Sequence, residues 1–205
     1  DFVGCPDPSY SEKDEFPVRT TFAVAAQFLN EAAIMKEWVE HYLSEGAGHF
    51  YLINNGSDDA FLEILSPYIQ RGLVTLFSNP AKQTQVANLN RFVLPFVRHH
   101  EFMVALDFDE FVYARNDFDT IAAYLESLSP CVDAIVLPQK IFGMNGHTKQ
   151  PASVIHGNLM RGDVTGAGQK EVDVDASEVV GRLENIKEIV RSASLDKFSL
   201  HRHRL

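Results

Sequence analysis

Residues 102–111 read Phe-Met-Val-Ala-Leu-Asp-Phe-Asp-Glu-Phe. The first five are apolar without a break, which is typical of a strand buried on both faces of a sheet. Three carboxylates follow within four residues, at Asp107, Asp109 and Glu110. Burying unpaired carboxylates is costly, so an acidic cluster at the tip of a core strand requires a cation or open solvent. The stretch therefore predicts a divalent-metal site at the end of a buried strand.

Strand and helix patterns alternate before this stretch. Helical spacing of apolar residues predicts three helices. The first begins after Asn30 and the second after Ser57 or Asp58 as its cap. The third spans Gln83–His99, and Pro95 either kinks it or marks where two shorter helices meet. The predicted strands are Thr20–Phe28, His49–Ile53, Leu73–Phe77 and the stretch itself. This alternation predicts an α/β fold with a mostly parallel, doubly wound sheet flanked by helices.

The pattern weakens after the acidic tip. A helix is predicted over Thr120–Leu128 with Asp117 or Asp119 as its cap, followed by strands over Asp133–Leu137 and Ile186–Val190. Residues Arg161–Arg182 carry four glycines among acidic residues, which suggests a lid. We interpret residues 1–18 as a leader or linker and residues 19–205 as one domain. Its halves are 19–111, which ends with the acidic cluster, and 112–205, which is expected to complete the metal site.

Composition narrows the class of protein. The chain has 205 residues, 45% of them hydrophobic, and a net charge of −10, which disfavours a nucleic-acid partner. Two cysteines, Cys5 and Cys131, are too few for a disulfide scaffold, although a single disulfide bridge between them is compatible with the sequence. No apolar run reaches the roughly 20 residues of a membrane helix. The chain starts at Asp1, and we expect it to be part of a longer polypeptide.

Polar clusters follow each of the first four predicted strands. Ligands of parallel α/β sheets bind at the carboxyl ends of strands, so these clusters are expected to converge there. The clusters are Asn30–Glu31, Asn54–Asp58, Ser78–Lys82 and Asp107–Glu110. The carboxylates among them are suited to accept hydrogen bonds from a nucleoside. For Asn30 and Asp58, simple helix capping is the alternative interpretation, and the two roles are compatible.

The spacing of the acidic residues suggests how an ion is held. If the strand continues, Asp107 and Asp109 project to the same side and share Mg²⁺ or Mn²⁺. His201 and His203 have the same spacing, and one of them is a candidate third ligand. The alternatives are a solvated acidic loop and a frayed basic tail. Candidate contacts to a diphosphate or an acceptor are Lys82, Gln85, Arg161, Lys187 and Arg191, of which Lys187 is favoured.

Several ordered motifs resemble a known group of enzymes. These motifs are Phe28-Leu29-Asn30-Glu31, Glu37-Trp38-Val39-Glu40-His41-Tyr42, Gly48-His49-Phe50-Tyr51, Asn55-x-Ser57-Asp58, Leu106-Asp107-Phe108-Asp109-Glu110-Phe111 and Phe142-Gly143-x-Asn145-Gly146-His147. Together they resemble GT-A-fold glycosyltransferases of the family 92 and family 2 type. The set covers most of the chain in matching order.

The resemblance implies a Rossmann-like GT-A fold and a UDP- or GDP-type sugar donor. It also implies Mn²⁺ or Mg²⁺ on Asp107 and Asp109, and transfer of the sugar to a hydroxyl of a glycan or another acceptor. Lys187 and a histidine of the His201-x-His203 tail are then expected near the donor diphosphate. The expected donor site is completed by Asn30, Glu31, Asn55, Asp58, Lys82, Gln85 and Asp107. Residues 19–111 are then the half that binds the nucleotide sugar, and residues 112–205 the half that binds the acceptor and completes the metal site. His156 stands where these relatives are expected to carry an acid.

An inverting hexosyltransferase needs a general base for the acceptor hydroxyl. The candidates are His147, His156, Asp163 and Asp175. Two other functions stay open at this point, a nucleotidyltransferase with the same acidic strand tip and a sugar- or nucleotide-binding module without turnover. No phosphate-binding glycine loop of the known motifs occurs in the sequence.

Localisation is expected to be cytoplasmic, with the Golgi lumen of animal family 92 relatives as the alternative. The cytoplasm is favoured because Asn55-Gly56-Ser57 is a glycosylation acceptor sequence inside the proposed nucleotide loop.

Overall fold

The computed structural model describes residues 20–82, 84–115, 117–137, 140–143, 146–158 and 187–199. Within these ranges it contains one six-stranded sheet in the order β3-β2-β1-β4-β6-β5. The strands are β1 Thr20–Phe28, β2 His49–Asn54, β3 Val74–Ser78, β4 His100–Ala105, β5 Ala134–Leu137 and β6 Lys187–Arg191. The α-helices are α1 Ala32–Ser44, α2 Phe61–Gln70, α3 Gln85–Asn88, α4 Ile121–Glu126 and α5 Val154–Gly157.

The first four strands form the parallel half of the sheet, with β1 between β2 and β4 and with β3 outside β2. The late strand β6 lies antiparallel between β4 and β5. The predicted α/β fold with a mostly parallel, doubly wound sheet is confirmed. Because β6 runs antiparallel, its first residue, Lys187, lies at the same edge as the carboxyl ends of β1 to β4.

Both faces of the sheet are covered, as the unbroken apolar run in β4 predicts. Phe22 and Val24 of β1 pack in one core with Trp38 of α1. The alternate residues Ala23 and Ala25 pack in a second core on the opposite face. The alternation follows from the two-residue period of a strand. A sheet buried on both sides gives the strand ends a rigid base.

The predicted helix caps are wrong at all three sites. Asn30 adopts a positive φ of 58°, and its side chain does not cap α1. Asp59 takes this role, because its Oδ2 accepts a hydrogen bond from the backbone N–H of Ala32 at 2.8 Å. Its Oδ1 also accepts from the N–H of Phe61 at 3.3 Å, so neither Ser57 nor Asp58 caps α2. One carboxylate thus ties together the starts of two helices.

The cap of α4 is Thr120, whose hydroxyl accepts from the N–H of Ala123 at 3.1 Å. Neither Asp117 nor Asp119 has this role. The predicted helix over 83–99 is divided into α3, a π-helical turn over Leu89–Val93 and a 3-10 turn over Leu94–His99. The division places Pro95 in the first turn of the 3-10 segment, where its missing N–H costs no hydrogen bond. The described helices include none that is long and apolar enough to cross a membrane.

Candidate functional site

The acidic segment after β4 folds into a turn. The N–H of Glu110 donates to the carbonyl of Asp107 at 3.1 Å. The N–H of Asp107 donates in return to Oε2 of Glu110 at 3.0 Å. The strand therefore does not continue through Asp109, so the condition under which strand alternation would place both aspartates on the same side is not met. Asp107 is half-buried, whereas Asp109 is exposed at the tip of the turn.

Aromatic residues of α1 hold the backbone of this turn. The indole Nε1 of Trp38 donates to the carbonyls of Asp107 and Glu110, at 3.1 Å each. The hydroxyl of Tyr42 donates to the Glu110 carbonyl at 2.9 Å, and burial raises the pKa of Tyr42. Phe108 points inward and stacks on Trp38 with ring centroids 4.4 Å apart. The turn is thus fixed from beneath, while its outer side chains face the strand edge.

Two side chains from other elements hold the carboxylate of Asp107. Nε2 of Gln85 donates to Oδ1 at 2.9 Å, and Nζ of Lys187 lies 3.0 Å from Oδ2. The same Nζ lies 3.1 Å from Oε2 of Glu110. Burial lowers the pKa of Lys187, but the carboxylates of Glu110 and Asp107 outweigh this effect and raise it. Lys187 is therefore a fixed positive charge between two carboxylates.

The other strand ends meet at the same edge. The N–H of Asn30 donates to Oγ of Ser57 at 2.9 Å, and Oδ1 of Asn30 accepts from the N–H of Asp58 at 3.0 Å. Nδ2 of Asn55 donates to the carbonyls of Asn79 and Ala81, at 2.6 and 2.7 Å. The ends of β1, β2 and β3 are thereby joined side by side, as the sequence predicts.

A buried amide network extends from these strand ends towards Gln85. Asn88, almost fully buried, accepts from Nδ2 of Asn79 at 2.7 Å and donates to Oε1 of Gln27 at 2.7 Å. A cavity of about 790 Å³ adjoins the network, and its lining includes Gln27, Gln85 and Lys197. Asn88 and Gln27 were not predicted as site residues. Asn88 is an amide at helical spacing after β3, and Gln27 is a single polar residue near the end of the apolar strand β1, so neither gave a separate signal.

Negative charge accumulates around Glu31. Burial raises the pKa of this residue, and neighbouring carboxylates raise it further. These belong to Asp109, Asp59 and Asp107. In the described part of the chain, no three His, Cys, Asp or Glu side chains are arranged to hold a metal ion. Carboxylate oxygens are nevertheless the ligands that Mg²⁺ and Mn²⁺ prefer, and mutual repulsion among them favours a cation, so the acidic group fits such an ion.

Comparison with known proteins identifies the family. Residues 19–204 match the model described as Glycosyltransferase family 92. The chain belongs to this family. A glycosyltransferase family 92 protein of Oryza sativa subsp. japonica is 25% identical over 135 residues, which cover 64% of this chain and 23% of that relative. The match thus spans less than a quarter of the relative's length. The predicted resemblance to family 92 is confirmed by the match to the family model.

Among solved structures, the S. aureus TarS fragment 1-349 in complex with UDP has a TM-score of 0.41 and 16% sequence identity. That alignment covers 64% of this chain and 38% of the TarS chain. The same fragment in another crystal structure gives a TM-score of 0.34 at 15% identity, covering 44% of this chain and 28% of that one.

The remaining predicted site residues of the family 92 domain are dispersed. Lys82 is exposed beside the β3 end. A ring nitrogen of His147 lies 3.1 Å from the carbonyl of Gly157, and His156 is exposed on α5. Glu37 of α1 fixes this segment, because its Oε2 accepts from the N–H of Val154 at 2.7 Å. Asp163, Asp175, Arg161, His201 and His203 lie outside the described residues.

Arg191 is the one candidate contact that the structure removes from the site. It pairs in register with Phe102, near the start of β4, so it lies towards the edge opposite the carboxyl ends. Its guanidinium forms an ion pair with Glu101 at 2.6 Å and lies over the ring of Phe102. It also donates to the carbonyls of Val132 and Ser129. Arg191 therefore joins β6 to β4 and to the loop before β5.

We expect Glu31→Gln to stabilise the protein by about 0.5 kcal/mol at pH 7, the scale of an exposed charge pair. The folded-state pKa of Glu31 is raised, so its ionisation opposes folding. Stability is lost as pH rises from the ordinary carboxyl pKa through the raised one. Below this window Glu31 is neutral in both the folded and the unfolded protein, so the variant and the wild type should have the same free energy of unfolding. Urea unfolding at pH 7 and at pH 3.5 measures the two differences, and a gain that persists at pH 3.5 would contradict the charge explanation.

Proposed function

We propose that this family 92 domain transfers a sugar from a nucleotide-diphosphate sugar to an acceptor hydroxyl, in a metal-dependent reaction. The observation that carries the proposal is the meeting of four strand ends around Asp107. There the mostly buried ammonium group of Lys187 pairs with Asp107, and the carboxylate of Asp109 in the same turn is exposed. A diphosphate needs positive charge, and a divalent ion needs carboxylate oxygens. One edge of the sheet provides for both.

The first three strand ends are suited to bind the nucleoside. Glu31 and Asp58 present carboxylates that accept hydrogen bonds from ribose hydroxyls or a base N–H. Asn30 shapes this surface through its positive φ and its bond to the Asp58 N–H. Asn55 acts as a positioning residue, because both hydrogens of its amide hold the 79–81 segment. Lys82, next to that segment, is a candidate phosphate contact.

In this proposal Asp109 and Asp107 hold Mn²⁺ or Mg²⁺, and His201 or His203 completes the ion's ligands. When bound, the ion supplies positive charge that stabilises the departing nucleoside diphosphate. Lys187 contributes positive charge to the same leaving group. Gln85 orients the carboxylate of Asp107 through its bond to Oδ1. The cavity beside Gln85 provides space next to the diphosphate for the rest of the donor.

The acceptor hydroxyl must lose a proton in an inverting transfer of a hexose. His156 and His147 are the described candidates for the base, and Asp163 and Asp175 are the other two. The two histidines belong to one short segment, which is joined internally by the contact from His147 to Gly157. Glu37 fixes that segment to α1. The helix that holds the metal-site turn through Trp38 therefore also supports the proposed acceptor side.

Incubation with a panel of UDP- and GDP-sugars and Mn²⁺ tests the proposal. Slow hydrolysis of one donor, abolished by a chelator and restored by Mn²⁺ or Mg²⁺, is the expected result. Tight donor binding without release of diphosphate would identify a binding module instead. Turnover of nucleoside triphosphates alone would identify a nucleotidyltransferase.

We further propose that the domain works in an oxidising compartment, such as the Golgi lumen, rather than in the cytoplasm. The disulfide at Cys131 supports this location, since structural disulfides persist in oxidising compartments. The other cysteine, Cys5, lies outside the described residues. Protein isolated without reductant and treated with iodoacetamide is expected to carry no label at Cys131. Stoichiometric labelling there would favour the cytoplasm.

A further inference from the structure

We propose that Lys187 changes partner when the donor binds. In the free protein its ammonium group neutralises Asp107 and Glu110, and on donor binding it leaves Asp107 for the diphosphate while keeping Glu110. The inference rests on the proposed function, because it concerns the same donor site. It makes Lys187 a tethered cation that occupies part of the metal site until the donor arrives.

The two carboxylates that hold Lys187 differ in burial. The side chain of Glu110 is 15% exposed and that of Asp107 is 45% exposed, while the distances to Nζ are nearly equal at 3.1 and 3.0 Å. Glu110 is also fixed by the N–H of Asp107, at 3.0 Å. Solvent screens the contact to Asp107 more strongly than the buried contact to Glu110. Asp107 is therefore the partner that Lys187 releases more easily.

Both oxygens of Asp107 are already used. Oδ1 accepts from Gln85 at 2.9 Å and Oδ2 from Lys187 at 3.0 Å. An ammonium group and a divalent ion repel each other and compete for the same carboxylate oxygen. A metal ion that binds Oδ2 of Asp107 therefore competes with Lys187 for this oxygen. The displaced ammonium needs another anion, and the donor diphosphate brings one to this edge of the sheet.

The exchange predicts effects of opposite sign. Lys187 should weaken metal binding to the free protein, because it competes for Asp107. It should strengthen diphosphate binding, because it supplies a positive charge. A residue that only supports the turn would weaken both when it is removed. A residue that only contacts the diphosphate would leave metal binding to the free protein unchanged.

The test uses Lys187→Met in the whole chain and two binding measurements without turnover. Electron paramagnetic resonance measures the Kd of Mn²⁺ alone, and calorimetry measures the Kd of UDP and of GDP at saturating Mn²⁺. We expect the Mn²⁺ Kd to fall about three- to tenfold and the nucleoside diphosphate Kd to rise about tenfold or more. Lys187→Arg keeps the charge and should stay near wild type in the Mn²⁺ measurement. Lys36→Met removes an exposed charge on α1 and should change neither the Mn²⁺ Kd nor the nucleoside diphosphate Kd.

Circular dichroism first establishes that each variant is folded. Weaker binding of both ligands to folded Lys187→Met, or an unchanged Mn²⁺ Kd, overturns the exchange. If Lys187→Met does not fold, Lys187→Gln, which also removes the charge, replaces it with the same two expected shifts, and weaker binding of both ligands or an unchanged Mn²⁺ Kd overturns the exchange. Wild-type protein that binds neither Mn²⁺ nor either nucleoside diphosphate overturns the proposed function and the exchange together. If the wild-type protein binds Mn²⁺ and a nucleoside diphosphate but the variants do not shift the two Kd values in opposite directions, only the exchange of partners by Lys187 is overturned.

Discussion

Asp109→Ala is expected to lower metal-dependent turnover of the donor about 100-fold or more, the scale at which an electrostatic contact to the transition state contributes. Asp109 is the exposed carboxylate of the turn after β4, whereas both oxygens of Asp107 are held by Gln85 and Lys187. A metal ion therefore competes with fewer protein contacts at Asp109 than at Asp107. The initial rate of nucleoside diphosphate release with Mn²⁺ measures the effect.

The same substitution should leave the free energy of unfolding nearly unchanged. The hydrogen bonds that fix the turn involve Trp38, Tyr42 and the side chain of Glu110. Asp117→Ala removes another exposed carboxylate of the same chain and is the matched control, with wild-type rate and stability expected. Wild-type turnover in Asp109→Ala would overturn the assignment of the acidic turn as the metal site.

The parts of the fold that follow from local pattern were predictable. The apolar run of β4 has no polar face, so both of its faces had to be covered. The helical periods that end at Gly46 and Gly72 predict α1 and α2, and the structure has them. Parallel strands then bring their carboxyl ends to one edge, so the polar residues that follow them were expected to meet there. Each of these steps needs only a short window of sequence and one packing rule.

Features that depend on pairing between strands far apart in the sequence could not be predicted from local pattern. No local signal indicates that β6 inserts antiparallel between β4 and β5. The direction of that strand decides that Lys187 reaches Asp107 and that Arg191 does not. Its position next to β4 results from competition among all possible strand pairings, which a single strand's sequence does not encode.

The errors at the acidic turn and at the helix starts have a conformational cause. Continuing the strand through Asp109 ignored the return hydrogen bond from the Asp107 N–H to Glu110. Asn30 has a positive φ, a conformation that asparagine tolerates. With this backbone, the N–H of Ala32 donates to Asp59 and not to the predicted cap Asn30. A shift of one residue in a cap depends on one backbone angle, and composition does not determine that angle.

Trp38→Ala is expected to lower the free energy of unfolding by about 3–5 kcal/mol. Trp38 is fully buried, stacks on Phe108 and packs near Phe50, so the truncation leaves a cavity in the core between α1 and the sheet. Urea unfolding measures the loss. The spacing of apolar residues predicted that Trp38 faces the core, but it did not indicate that the indole N–H holds the acidic turn after β4.

Trp38→Phe separates the packing role from the hydrogen bonds. It keeps an aromatic ring but removes the donor to the carbonyls of Asp107 and Glu110, at a cost of about 1–3 kcal/mol for two bonds. The loosened turn should also raise the Kd for a nucleoside diphosphate with Mn²⁺. Phe50→Leu, which removes apolar contact with the same indole, should lower stability without changing that Kd. If Trp38→Phe and Phe50→Leu affect the Kd equally, the indole N–H has no separate role and the turn is held by packing alone.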